Sequence, residues 1–135
     1  MLTEEDRGRA DLYALLARLF YAGPDRALLD SLVGHEDLFG ADDVPLGRAW
    51  RALARAARDA DPQALTLEYD SLFVGVGKAQ VTPYCSHYLT PTGRERIVVA
   101  LRDELRQWGL ARAGGSHEPE DHVAVLCEVM RHLVS

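Results

Sequence analysis

At 135 residues the chain is long enough for one compact core and short for two, so a single domain over residues 1–135 is expected. A net charge of −6 lacks the basic excess that phosphate contacts need, which excludes a general nucleic-acid binder, and no run approaches the roughly 20 apolar residues of a membrane span. The acidic start Thr3-Glu4-Glu5-Asp6 lacks the basic and apolar regions of a secretory signal, and two distant cysteines, Cys85 and Cys127, form no disulfide framework; a cytoplasmic location is expected.

Apolar spacing is helical nearly throughout, predicting an all-α bundle of about six helices. Thr3 caps a first helix, which buries Leu12, Leu15, Leu16, Leu19 and Phe20 and stops at Gly23-Pro24. With Pro24 in its first turn, a second helix buries Leu28, Leu29, Leu32 and Val33 and stops at Gly34, before a polar loop over 35–44. A third helix runs from near Pro45 to about Ala60 with Leu46, Trp50, Leu53 and Ala57 inward. Arg48, Arg51, Arg55 and Arg58 form a stripe on it, read as a solvated face with acids nearby. Asp61-Pro62 starts a fourth helix with Leu65, Tyr69, Leu72 and Phe73 on one face, ended by Gly75 and Gly77, and 76–91 is a loop. Thr92-Gly93-Arg94-Glu95 reads as a capping box opening a fifth helix that buries Ile97, Val98, Leu101, Leu105 and Trp108 and ends at Gly109. After a flexible connection over 113–116, a last helix opens near Pro119 with Val123, Leu126, Met130, Leu133 and Val134 inward. It runs to Ser135 without a glycine cap or polar tail, as in a truncated or short chain.

Two segments carry more than periodicity. Glu68-Tyr69-Asp70-Ser71-Leu72-Phe73-Val74-Gly75, then Pro83-Tyr84-Cys85-Ser86-His87-Tyr88-Leu89, resembles the E-Y-x-x-L-F helix and P-Y-x-S-x-Y loop of the TorD/DmsD/NarJ chaperones. Glu118-Pro119-Glu120-Asp121-His122-Val123-Ala124, followed by Leu126-Cys127-Glu128-Val129-Met130, resembles that family's E-P-x-D-H-x-A start and L-x-E-x-M continuation. Cys85 and Cys127 stand where the family often has acids, and family members usually carry further helices.

The resemblance implies a TorD-like helical fold and a non-enzymatic maturation chaperone. Such a protein binds the twin-arginine leader, or an N-terminal segment, of a molybdopterin oxidoreductase subunit until its cofactor is inserted. The task demands an apolar groove and carboxylates for the planar forks of arginine. Candidate residues are Tyr69, Phe73, Pro83, Tyr84, Ser86, Tyr88, Glu118, Asp121 and His122, with Trp108, Glu68, Glu120 and Glu128 as further walls and acids. Each has a structural alternative. Tyr69, Leu72 and Phe73 at helical spacing suit a core; Ser86 suits a local cap; Asp121 suits a helix start; His122 suits a packed ring bonding a carbonyl of the 113–116 connection.

Three rivals remain. One is a NarJ-like assembly chaperone for an unexported nitrate-reductase-type subunit. Another is a metal-dependent or hydrolytic enzyme using Cys85, His87, Asp121 and His122, with His117 as a further ligand, although no zinc pattern, nucleophile elbow or phosphate loop is present and no cofactor is expected. The last is a structural subunit that forms a homodimer, or exchanges helices, to cover an apolar patch.

Overall fold

The computed structural model describes residues 1–40, 44–111 and 118–135. Among them are seven α-helices: α1 Glu4–Tyr21, α2 Arg26–Gly34, α3 Pro45–Arg58, α4 Pro62–Tyr69, α5 Ser86–Leu89, α6 Arg94–Gln107 and α7 Val123–Leu133. A π-helical turn, Asp70–Val74, continues α4, and the β structure among the described residues is one isolated antiparallel bridge. The class is all-α, and no described helix is long and apolar enough to cross a membrane. The chain divides into two compact units: Met1–Tyr21 with Gln80–Ser135, and Ala22–Ala79.

In the unit over Ala22–Ala79, the Asp25 carboxylate accepts the Leu28 amide at 2.9 Å and caps α2, so Pro24 precedes the cap instead of lying in the first turn. Leu29 and Leu32 are the buried residues of that helix. In α3, which packs on α2, the Trp50 indole N–H donates to the His35 carbonyl at 2.7 Å, and the ring stands edge-on to Phe39 at 5.1 Å. These two ties set the helix's rotation. Its buried line is Gly47, Trp50, Ala54 and Ala57, which leaves Leu46, expected inside, exposed. The acids near the arginine stripe come from the preceding loop: Asp37 meets Arg51 at 3.0 Å, and Glu36 meets Arg55 and Arg58. Residues 41–43 of that loop lie outside the described ones.

Asp61 caps α4 through the amides of Gln63 and Ala64, with Pro62 in the first turn. The helix then widens. The Gly75 amide reaches the Asp70 carbonyl at 2.7 Å, a five-residue step, and Tyr69 and Phe73 lie with ring centroids 5.1 Å apart.

In the other unit, Thr3 and Asp6 cap α1 reciprocally. The Asp6 amide donates to the Thr3 hydroxyl at 3.1 Å, while the Asp6 carboxylate accepts the Thr3 hydroxyl at 2.7 Å and its amide at 3.3 Å. Those hydrogen bonds hold Asp6 below the usual carboxylate range. Helix α1 packs along α7, and the residues fully buried on the two are small: Ala17, Ala124 and Cys127. Close approach through small residues leaves Leu12, Leu15, Leu19 and Phe20 half-buried and Leu16 exposed, where all five were expected inside.

In this unit two boundaries differ from the sequence reading, while the helix end at Gly109 stands without the burial expected of Trp108. The box at 92–95 does not form, because Gly93 takes the cap of α6 at φ 71°, a conformation open to glycine, and the Thr92 carbonyl instead accepts the Thr90 hydroxyl at 2.6 Å. Helix α6 ends in a Schellman turn, with Gly109 N–H to Arg106 O at 3.0 Å and Leu110 N–H to Leu105 O at 2.9 Å. The turn carries Trp108 outward, 49% exposed. Helix α7 begins at Val123 instead of near Pro119, since the backbone of residues 121–123 pairs with residues 83–85, and α5 occupies part of the expected 76–91 loop. Leu133, on the last turn of α7, is exposed, and the 113–116 connection lies outside the described residues.

Candidate peptide-binding site

The two motif segments over residues 83–89 and 118–130 meet through backbone first. The Cys85 amide donates to Asp121 O at 3.0 Å and the Val123 amide to Pro83 O at 2.8 Å, flanking the antiparallel Tyr84–His122 bridge. Side chains then tie the crossing. The Asp121 carboxylate, 1% exposed, accepts the Ser86 amide at 3.2 Å and so supports the start of α5. Tyr84 donates its hydroxyl to Glu118 at 2.9 Å, and its ring stands edge-on to His122 at 5.2 Å. Ser86 is buried at the first position of α5, while Tyr88 is 66% exposed and donates to Thr82 O at 2.8 Å. Burial, reinforced by the Asp121 charge, pushes the Cys85 thiol up; burial, reinforced by Glu128, does the same for Cys127.

His122 is the N-cap of α7. Its Nδ1 accepts the Ala124 amide at 3.1 Å, so the ring bonds an amide of its own helix, and the carbonyls of 113–116 lie outside the described residues. A ring nitrogen that accepts is unprotonated, and burial holds His122 below the ordinary histidine range against the opposing charges of Glu118 and Asp121. The unfolded chain therefore takes up the proton first as pH falls. This contribution to stability is level above about pH 6.5 and declines below it, until the folded state protonates as well. His122→Ala is expected to cost about 1–2 kcal/mol at neutral pH through the lost cap and to flatten the decline below pH 6.5. Urea denaturation of both proteins across that range checks it; parallel pH profiles would remove His122 from the acid response.

Beside this crossing the same unit holds a hollow of about 940 Å³ lined by α1, α6, α7 and the 118–122 turn. Ala14, Ala17, Leu105, Leu110, Ala124 and Val129 give it an apolar floor. Glu118, Glu120 and Glu128 stand among its lining with Arg18, Arg102, Arg106 and Arg131. Glu120 holds Arg102 through two hydrogen bonds, 2.7 and 3.1 Å, which raise the guanidinium's pKa further; Glu128 meets Arg131 at 3.3 Å.

The structure thus brings together Pro83, Tyr84, Ser86, Glu118, Asp121 and His122, with Tyr88 two residues beyond Ser86 on α5. Tyr69 and Phe73 belong to the other unit, where they form their own ring pair. Among the described residues the hollow's lining includes Glu118, Glu120 and Glu128 but none of Tyr84, Tyr88 and Trp108. Arg102, Ala14 and Ala17 were missed in the sequence. The alanine pair at i, i+3 on α1 was the readable signal, since small residues mark where a helix face can be approached closely. No three His, Cys, Asp or Glu side chains converge to metal-binding distance among the described residues, and His117 lies outside them.

Comparison with known proteins follows the same lines. The family model described as nitrate reductase delta subunit matches residues 40–135. The chain is 32% identical over 112 residues to the chaperone protein TorD of Ferrimonas balearica, covering 81% of this chain and 50% of that protein. It is 29% identical over 138 aligned positions to TorD of Salmonella bongori, covering 94% and 64%. The chain therefore spans between half and two thirds of these curated relatives. A solved structure from Archaeoglobus fulgidus, described as a redox enzyme maturation protein, superimposes with a TM-score of 0.64 at 21% identity over 93% of this chain and 70% of that one, which shows a shared fold. With the family match extending over well more than half of its length, and with the motif segments folded into one crossing, the chain belongs to the nitrate reductase delta subunit family, the TorD/NarJ group that its motifs resemble.

Proposed function

We propose that the protein is a cytoplasmic maturation chaperone, not an enzyme, that binds the twin-arginine leader or N-terminal segment of a molybdenum-containing oxidoreductase subunit during cofactor insertion and before export. The observation that carries this is the hollow of about 940 Å³, apolar at its floor and flanked by Glu118, Glu120 and Glu128, in the same unit as the 83–89 and 118–130 motifs. An amphipathic peptide buries its apolar face in such a groove, and its arginines find carboxylates that can accept two parallel N–H bonds. The TorD names of the curated relatives point the same way. In this reading Glu118, Glu120 and Glu128 meet the peptide in the hollow, Tyr84 orients Glu118 through its hydroxyl, and Pro83, Ser86, Asp121 and His122 hold the 118–122 turn in place, with exposed Tyr88 beside them on α5.

Calorimetry with a synthetic twin-arginine leader from the same genome is the test. Binding at about micromolar or tighter, near −8 kcal/mol, is expected, and replacing both arginines by lysine should weaken it at least several-fold. Absence of binding to every such leader would refute the proposal. A NarJ-like role on an unexported nitrate-reductase-type subunit is the second reading, favoured by the description of the family itself. There the lysine peptide should bind as well as the arginine one. Self-association through the same hollow would show as a dimer in light scattering of the free protein.

A further inference from the structure

The Glu120–Arg102 pair at the hollow joins two unequal partners. The Glu120 side chain is 10% exposed and the Arg102 side chain 41%. Glu120 sits in a turn whose backbone is fixed by the crossing with residues 83–85, whereas Arg102 reaches it from α6 on a long, flexible stem. Both carboxylate oxygens are engaged, Oε1 by Nε at 2.7 Å and Oε2 by Nη2 at 3.1 Å, the side-on fork of a guanidinium on a carboxylate. Neighbouring pairs lack this asymmetry. Arg106 with Asp103 and Arg131 with Glu128 are i, i+3 pairs within one helix, with both members more than half exposed. A nearly buried carboxylate requires a hydrogen-bonded cation, because leaving it alone is costly. Here that cation is a part-exposed side chain from α6 that itself lines the hollow.

We propose that Arg102 is an internal stand-in for an arginine of the bound peptide: an incoming guanidinium displaces it from Glu120 and takes over the same fork, while Arg102 turns to solvent. This rests on the peptide-binding reading above and assigns Glu120 as the residue that distinguishes arginine from lysine. The exchange replaces one fork by an equivalent one, so Glu120 is never left unpaired. A lysine ammonium is a single point donor on a flexible stem and does not span both oxygens, so it does not displace Arg102 efficiently. Because Arg102 is tethered, it competes at high effective concentration and screens out peptides that are merely basic.

The test compares wild type with Arg102→Ala, Arg102→Lys, Glu120→Gln and the Arg102→Ala/Glu120→Gln double variant. By calorimetry, Arg102→Ala should bind the twin-arginine leader about tenfold more tightly than wild type, since the tethered competitor is gone. Arg102→Lys, which keeps the charge and the fold but not the fork, should gain part of that. Glu120→Gln should weaken binding, and the double variant should lose the gain. A second readout needs no client: ethylguanidinium, but not ethylammonium, should raise the Tm of Arg102→Ala and leave the double variant unmoved. If the leader binds wild type and binds both Arg102 variants no more tightly, the exchange is refuted and the chaperone reading stands. If no variant binds a leader but ethylguanidinium still rescues through Glu120, the chaperone reading falls and the carboxylate's capacity for an outside guanidinium is supported. Absence of that rescue overturns the exchange whatever the leader does.

Discussion

Asp121→Ala is expected to lower the stability of the protein by about 2–3 kcal/mol, the sum of a lost buried hydrogen bond and the void left by the side chain. The carboxylate is 1% exposed, so water cannot substitute for it, and the Ser86 amide it accepts at 3.2 Å would be left without that partner at the start of α5. The backbone tie from Cys85 N–H to Asp121 O survives the substitution, which keeps the loss to the side chain alone. Asp121→Asn is the decisive companion. Its amide oxygen can still accept from Ser86 in nearly the same volume, so it should cost no more than about 1 kcal/mol. Urea denaturation followed by circular dichroism checks both. Leader binding adds a second axis: a carboxylate that acts by holding residues 83–86 in place predicts that Asn binds almost as wild type while Ala binds weakly. A carboxylate that meets a leader arginine through its charge predicts equal loss in both, and that result would reverse the assignment.

What the sequence made legible follows the range of the interactions involved. Asp61 and Pro62 start α4 as anticipated because a cap and a first-turn proline act within four residues. The Thr92 box was misread even at that range, since Gly93 offers a left-handed cap that competes with it, and the motif letters do not say which of the two the chain takes. The start of α7 was misplaced by a longer-range cause: its preceding residues pair with a segment nearly 40 positions earlier, Tyr84 with His122 at the bridge, and helical periodicity cannot register a backbone bridge. The family motifs marked Tyr84, Asp121 and His122, and the packed-ring alternative anticipated a buried His122, but nothing local showed that one crossing buries both it and Asp121. The hollow was illegible for a different reason. Its floor depends on alanines, which a search for large apolar residues passes over, and the Glu120–Arg102 fork joins a turn to a helix 18 residues away.

Gly75→Ala is expected to have the other large effect, about 3 kcal/mol, and to act in the other unit. Gly75 has φ 65° and ψ 158°, a region that only glycine occupies readily, so a side chain there carries a strain of about 1–3 kcal/mol. Space is the further constraint. A Cβ built on Gly75 would lie 2.4 Å from the Lys78 carbonyl oxygen and 2.8 Å from the Ala79 amide nitrogen, and both are backbone atoms that cannot rotate aside. The chain would have to open the turn after Asp70–Val74, breaking the 2.7 Å bond from Gly75 to Asp70 that closes the π-helical turn and disturbing the Tyr69–Phe73 ring pair above it. Gly77→Ala is the control. Its φ of 90° also favours glycine, but a Cβ there meets nothing within 4 Å, so it should cost the backbone strain alone, about 1–2 kcal/mol. Trp50 lies in this unit and the other tryptophan, Trp108, is half exposed in its counterpart, so fluorescence in a Trp108→Phe background follows the unfolding of the affected unit directly. Equal losses for the two glycine variants would show that the close approach to Lys78 is not what makes glycine necessary at the end of the Tyr69 helix.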